Sequence, residues 1–253
     1  MSKDPASAEQ QARAAIVATG RRLYERRILA SIEGNMSVRL PGDRIVATPS
    51  GINKGFMQPA DMVLTDRDGN PEGGGKPSSE LRMHLAIYRV RPDLHAIVHA
   101  HPTVATGYAV AGRQLPAAVL AEIVTTLGCI PIAPYGTPST DELADAVVGP
   151  IRNYDALLLA NHGALTAGAS LHEAEERMYQ LEHFAEVSLV AELLGGPRAF
   201  SAAEVERLSS LRQQAGGRPV PPACYPVGDD NDTITLTRDE LVALMADAVR
   251  ALR

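Results

Sequence analysis

A chain of 253 residues, 45% of them apolar, is long enough to bury one substantial core, and α/β domains of this size commonly form a single unit. Its 24 basic and 30 acidic residues leave a net charge of −6 with neither sign gathered into a long block, which argues against a nucleic-acid partner. No run approaches the roughly 18 apolar residues of a membrane span, and the opening MSKDPASAEQQARAA holds no apolar segment followed by a cleavage site. The two cysteines, Cys129 and Cys224, form no CxxC pair and suit thiols in a reducing compartment. A soluble, cytoplasmic protein is the expectation.

Residues 7–30 carry apolar positions at helical spacing, with Ser7 and Gln10 placed as an N-terminal capping pair, and predict a long first helix. Three short β-like runs follow, NMSVRL, DRIVATPS and DMVLTD, the last leading into the turn-forming DRDGNPEGGG; together they predict an antiparallel meander. Ser78 or Ser79 then caps a helix over SELRMHLAIYRVRP, where Leu81, Leu85 and Tyr88 recur at three to four residues and Pro92 ends the run. HAIVHAH reads as a strand and TVATGYAVAG as a short helix. CIPIAP and ALLLANHGALTAG read as strands separated by a helix over about residues 140–148. Residues 171–194 form a long amphipathic helix closed by Gly195, Gly196 and Pro197.

Residues 215–235 are rich in Pro, Gly and Asp and read as a linker or arm. Thr237 opens a T-R-D-E capping box before a final helix striped with Leu241, Leu244, Met245 and Val249. The organisation expected is therefore a domain over 1–214 and a C-terminal arm and helix over 215–253. The fold class is α/β, a mixed, antiparallel-rich sheet between helix layers. No G-x-G-x-x-G follows the first strand, so a dinucleotide fold has no support.

The residues that carry chemistry begin with HAIVHAHP. Alternate side chains of a strand share a face, so His99 and His101 point together about 6.6 Å apart along the chain. His162 follows an apolar strand and precedes Gly163. Three neutral imidazoles suit a divalent transition metal, and three protein ligands with one open position is the catalytic form of a zinc site. An HxH pair alone is more often a pair of satisfied core histidines. His84, His95, His172 and His183, on or beside helices, read as structural or solvated.

The stretch GKPSSELRMHLAIYRVRPDLHAIVHAHP, followed by IPIAPYG and LLLANHGAL, resembles the class II aldolase/adducin family, in particular its sugar-phosphate aldolases typified by L-fuculose-phosphate aldolase, over about residues 7–211. The resemblance implies a three-layer α/β/α fold assembled as a homotetramer, usually with zinc, its active sites lying where subunits meet. It implies His99, His101 and His162 as metal ligands and Glu80 as the acid/base. Gly34, Asn35, Ser50, Gly51, Ser78 and Ser79 match the phosphate loops, whose amides, hydroxyls and helix N-terminus can hold a phosphate without an arginine. Lys54, just beyond, could add charge to that cradle but reads as a solvated lysine. Where the fuculose-type enzyme has a tyrosine reaching into the neighbouring site, this chain has Leu120, with Glu122 two positions on as a candidate second acid/base; the departure places fuculose itself in doubt. Tyr225, in the arm, is matched weakly.

The activity implied is metal-dependent cleavage of a ketose 1-phosphate, fuculose-phosphate-like or a 5-deoxy- or methylthio-pentulose phosphate, to dihydroxyacetone phosphate and an aldehyde. The alternatives are dehydration of methylthioribulose 1-phosphate, 4-epimerisation of a pentulose phosphate and, on the same scaffold, a non-catalytic adducin-like interaction domain. The three histidines speak against the last.

Overall fold

The computed structural model describes residues 5–219 and Thr237. The first helix, α1, spans Pro5–Glu25, with proline at a position where its fixed φ and missing N–H cost nothing. Ala8, Ala12, Ile16 and Leu23 form its buried stripe. Ser7 lies inside the helix, where its Oγ accepts from Gln11 Nε2 (3.3 Å), so it is not the cap expected. The helix also stops earlier than residue 30, since Arg27 takes φ 60° and the Ile28 amide turns back to the Leu23 carbonyl.

The expected meander follows as β1 (Asn35–Arg39), β2 (Ile45–Ala47) and β3 (Val63–Thr65), paired antiparallel with Val38 opposite Val46 and Val46 opposite Leu64. Next come α2 (Leu81–Val90), β4 (Ala96–Ala100), α3 (Thr103–Ala111), the short α4 (Ala121–Thr125), β5 (Ile132–Ala133) and α5 (Asp141–Ile151). Then follow β6 (Ala156–Leu159), β7 (Gly163–Gly168), α6 (Leu171–Leu193) and α7 (Ala202–Gln214). The seven strands form one sheet in the order β3-β2-β1-β4-β7-β6-β5, antiparallel throughout except for β5 beside β6.

The two-residue period of the strands divides the core into two layers. Ile97, Leu157 and Leu165 face Leu81, Met83, Ile87, Leu143 and Val147 of α2 and α5. Val98, Leu158 and Ala164 face Ile16, Ala105, Met178 and Leu181 of α1, α3 and α6. The fold is thus the three-layer α/β/α sandwich with a mixed, largely antiparallel sheet.

ALLLANHGALTAG departs from the expected single strand. Asn161 takes φ 54°, and the run folds into the hairpin β6–β7, with Leu159 opposite Gly163. The helix α7, which the chain-order reading did not anticipate, begins with a full capping box between Ser201 and Glu204. Cys129, expected as a thiol, is disulfide-bonded. Cys224, Tyr225 and the stripe Leu241, Leu244, Met245 and Val249 lie outside the described residues, so the division at residue 215 stays an expectation. No helix among the described residues is long and apolar enough to cross a membrane.

Candidate active site

The site gathers where β4 leaves the sheet. His99 is fully buried, opposite Asn35 of β1 on one side and Leu165 of β7 on the other. Its Nδ1 stands 2.8 Å from the Ala164 carbonyl, which only accepts, so Nδ1 carries the proton and Nε2 presents its lone pair outward. That Nε2 is 3.1 Å from His101 Nε2. The β6–β7 hairpin brings His162 back against the same strand end, because β7 is the neighbour of β4. The three rings meet edge to face, with centroids 4.7–5.0 Å apart and planes inclined 61–70°, and one ligand atom from each lies within 4.8 Å of the others.

Two ligands of a tetrahedral zinc with Zn–N near 2.0–2.1 Å stand about 3.3–3.4 Å apart, so the His99–His101 separation and the directed lone pair fit one small divalent ion. The closeness depends on glycine. A Cβ on Gly163 would stand 2.6 Å from His101 Cδ2 and 2.7 Å from the Ala100 carbonyl. Gly34, at φ 73°, would place a Cβ 2.4 Å from Leu29 Cδ2 and 2.8 Å from the His99 carbonyl.

Glu80 is the residue immediately before α2. Its Oε2 lies 3.3 Å from His99 Nε2 and its Oε1 3.2 Å from His162 Nε2, while Asn35 Nδ2 donates to Oε2 at 2.7 Å. Burial pushes this carboxyl up, but the His162 hydrogen bond, the His99 and His162 charges and the Asn35 amide outweigh it and hold Glu80 well below the usual carboxylate range. Burial is the main force holding His99 and His101 below the usual imidazole value; their histidine neighbours add to it and Glu80 opposes it. A carboxylate that stays ionised beside His99 and His101, whose protonation burial opposes, suits a bound cation.

The proposed phosphate segments lie side by side next to Glu80. Pro49 and Pro77 form a β-bridge, the Ser50 amide donates to the Lys76 carbonyl (3.0 Å) and the Ser78 amide to the Thr48 carbonyl (3.0 Å). Thr48 in turn ties to β1: its amide donates to the Met36 carbonyl and its Oγ1 accepts the Met36 amide. Ser78 Oγ accepts the Glu80 amide (3.3 Å), and Gly51 sits in an open turn at φ 74°.

Several residues stand differently from their expectation. Asn35, expected in the phosphate loops, donates its amide to Glu80, and its Oδ1 is buried without a protein partner among the described residues. Lys54 is not solvated: it is 2% exposed, with Nζ 2.5 Å from the Ile32 carbonyl. Glu122 is exposed on the first turn of α4, and among the described residues its carboxylate makes no hydrogen bond or ion pair to the site. Ser139 was not singled out from the sequence, yet it takes φ 66° and its Oγ meets Ser79 Oγ at 2.6 Å. His95, His172 and His183 are exposed, while His84 is buried and bonded to Ser37 Oγ (2.7 Å), a structural role.

Comparison with known proteins shows what the chain is similar to. The family model for the class II aldolase and adducin N-terminal domain matches residues 14–189. A 5-methylthioribulose-1-phosphate/5-deoxyribulose-1-phosphate aldolase of Rhodospirillum rubrum is 35% identical over 75% of this chain and 87% of its own length. A 3-oxo-tetronate 4-phosphate decarboxylase of Escherichia coli K12 is 32% identical over 82% of this chain and 99% of its own. A solved structure of an L-fuculose 1-phosphate aldolase superposes with a TM-score of 0.74 at 33% identity, covering 79% of this chain and 95% of that one. With its three clustered histidines and the carboxylate beside them, the chain belongs to the class II aldolase and adducin N-terminal domain family.

Proposed function

We propose that the protein is a cytoplasmic, zinc-dependent lyase that cleaves a ketose 1-phosphate, of the 5-deoxy- or methylthio-pentulose kind, into dihydroxyacetone phosphate and an aldehyde. The observation that carries this reading is Glu80 bridging toward His99 Nε2 and His162 Nε2 at 3.3 and 3.2 Å. A zinc or similar divalent ion on His99, His101 and His162 supplies Lewis-acid stabilisation of the charge that gathers on the ketone oxygen when the C–C bond breaks.

The protein groups do the rest. Cleavage transfers the proton of the hydroxyl beyond the scissile bond to a base, the bond's electrons remain on the ketone fragment, and that fragment is then reprotonated at carbon. Glu80, ionised at rest and oriented by Asn35, takes a proton from water and delivers it to that carbon, while the base at the aldehyde oxygen releases the hydroxyl proton to water, so one proton leaves oxygen and one arrives at carbon. Glu122, exposed on α4, serves the aldehyde oxygen of a neighbouring protomer's site in the proposed homotetramer. Gly34, Ser50, Gly51, Ser78 and Ser79 seat the phosphate through amides and hydroxyls beside the α2 N-terminus.

A second reading is supported by the similarity to a 3-oxo-tetronate 4-phosphate decarboxylase, since loss of CO2 leaves the same kind of electron pair for the same carboxylate to protonate. One assay separates them: a dehydrogenase-coupled measurement of dihydroxyacetone phosphate over a panel of ketose 1-phosphates, run beside CO2 release from 3-oxo-tetronate 4-phosphate. The aldolase reading expects triose phosphate from at least one ketose. It also expects E80Q to lose about 10²- to 10⁴-fold in kcat with its metal retained. CO2 release alone moves the assignment to decarboxylation, and water loss alone to the dehydratase.

A further inference from the structure

Lys54 is one of three buried cationic side chains among the described residues, with Arg91 and Arg212, and the activity proposed above does not use it. It is 2% exposed, and its ammonium donates to the Ile32 carbonyl at 2.5 Å. Among the described residues no carboxylate stands within ion-pair distance of it. Burying an ammonium with a neutral carbonyl as its acceptor costs several kcal/mol by general estimates, which an ordinary structural lysine avoids by reaching for water.

The surroundings suggest what the charge serves. The Ile32 carbonyl belongs to the short turn that leads into Gly34 and Asn35, and Asn35 in turn orients Glu80. Glu33, beside it, turns its carboxylate back onto the Ala30 and Ser31 amides. Burial lowers the Lys54 pKa, and the negative charges of Glu33 and Glu80 oppose that fall, so the ammonium lies within the electrostatic reach of both carboxylates. The donors gathered from residues 48–51 and 78–79 are neutral amides and hydroxyls. A phosphate carrying about −1.5 to −2 charges and seated there meets the repulsion of Glu80 and Glu33, while Lys76 and Arg82, which share a groove with Ser78 and Ser79, are exposed to solvent, Arg82 being paired with Asp141.

Resting on the sugar-phosphate reading above, we propose that Lys54 supplies the positive charge of the phosphate cradle and holds the Ile32–Asn35 turn in register with it, acting as a positioning residue. Its field offsets the two carboxylates and lets neutral donors bind a dianion. The effect falls on phosphate affinity, not on the proton transfer at Glu80.

The test is binding of inorganic phosphate to the metal-loaded protein by calorimetry, for wild type, K54M and K54R, with metal content measured on each. The expected result is at least a tenfold loss of phosphate affinity in K54M and less than a threefold loss in K54R, with metal content unchanged. Phosphate affinity within twofold of wild type in K54M overturns the proposal, as does an equal loss in K54M and K54R. If K54M does not fold, wild type decides: the Lys54 15Nζ resonance shifts on saturation with phosphate, and an unmoved resonance overturns the proposal. Because the readout is phosphate binding, a protein that binds phosphate through Lys54 yet cleaves no ketose phosphate contradicts the aldolase reading alone.

Discussion

His84 shows how a residue behind the site couples folding to pH. It is 1% exposed, its Nδ1 lies 2.7 Å from Ser37 Oγ, and Tyr88 OH donates to the Ser37 carbonyl at 3.1 Å, while its Nε2 has no protein partner. Burial pushes its pKa down to about 4, with Glu80 opposing. A lowered folded-state value on a base means the unfolded chain takes up the proton first. The His84 contribution is therefore fully present above the ordinary value of about 6.5 and is lost as pH falls from there to about 4, an amount of about 3 kcal/mol. Urea unfolding at a series of pH values should show stability falling through this window, and H84L should flatten the fall by about one proton. An unchanged slope in H84L would sink that assignment. At this scale the sequence was a good guide to residue type and a poor one to surroundings. That His99 and His101 lie side by side was legible because alternate residues of a strand share a face. Lys54 was not, because nothing in its neighbours says that residues 54–56 form a turn tucked beneath Ile32.

At the scale of elements, the hairpin β6–β7 does for His162 what the strand β4 does for His99 and His101. The apolar continuity of ALLLANHGALTAG hides the turn, since a run buried on both faces has no polar alternation to mark its end. The signal was in NHG alone: Asn161 is among the residue types that tolerate φ 54°, and Gly163 admits the His101 ring. G163A should therefore act on the metal before it acts on the fold. Its methyl must displace His101 or the Ala100 carbonyl, and metal affinity should fall about tenfold or more, measured by competition with a chromogenic chelator. Full retention of metal by G163A would show that the hairpin does not set the ligand geometry. The helix α7 is signalled in the sequence only by S-A-A-E at residues 201–204, since the apolar stripe behind that capping box is weak. Ser139 left no such sign, since its partner Ser79 lies 60 residues away in the chain.

For the whole molecule, the fold brings His99, His101, His162 and Glu80 together at one end of β4 and leaves Glu122 on an exposed helix. Large apolar side chains also stand open along one end of α6, Leu193 and Leu194 at 79% and 82% exposure, as suits a subunit interface. If Glu122 serves a neighbouring site, inactive E80Q and inactive E122Q should restore activity when unfolded together and reassembled, because mixed oligomers contain sites with both wild-type groups. Failure of the mixture to regain any turnover would contradict the action of Glu122 on a neighbouring protomer's site. The account as a whole rests on His99, His101 and His162 converging on one cation beside Glu80. The direct measurement is anomalous diffraction from crystals of the purified protein across the absorption edge of its bound metal. The expected result is one peak per chain, within ligand distance of all three imidazole Nε2 atoms and adjacent to the Glu80 carboxylate. A catalytically active crystal with no peak there, or with its metal held by other side chains, would contradict it.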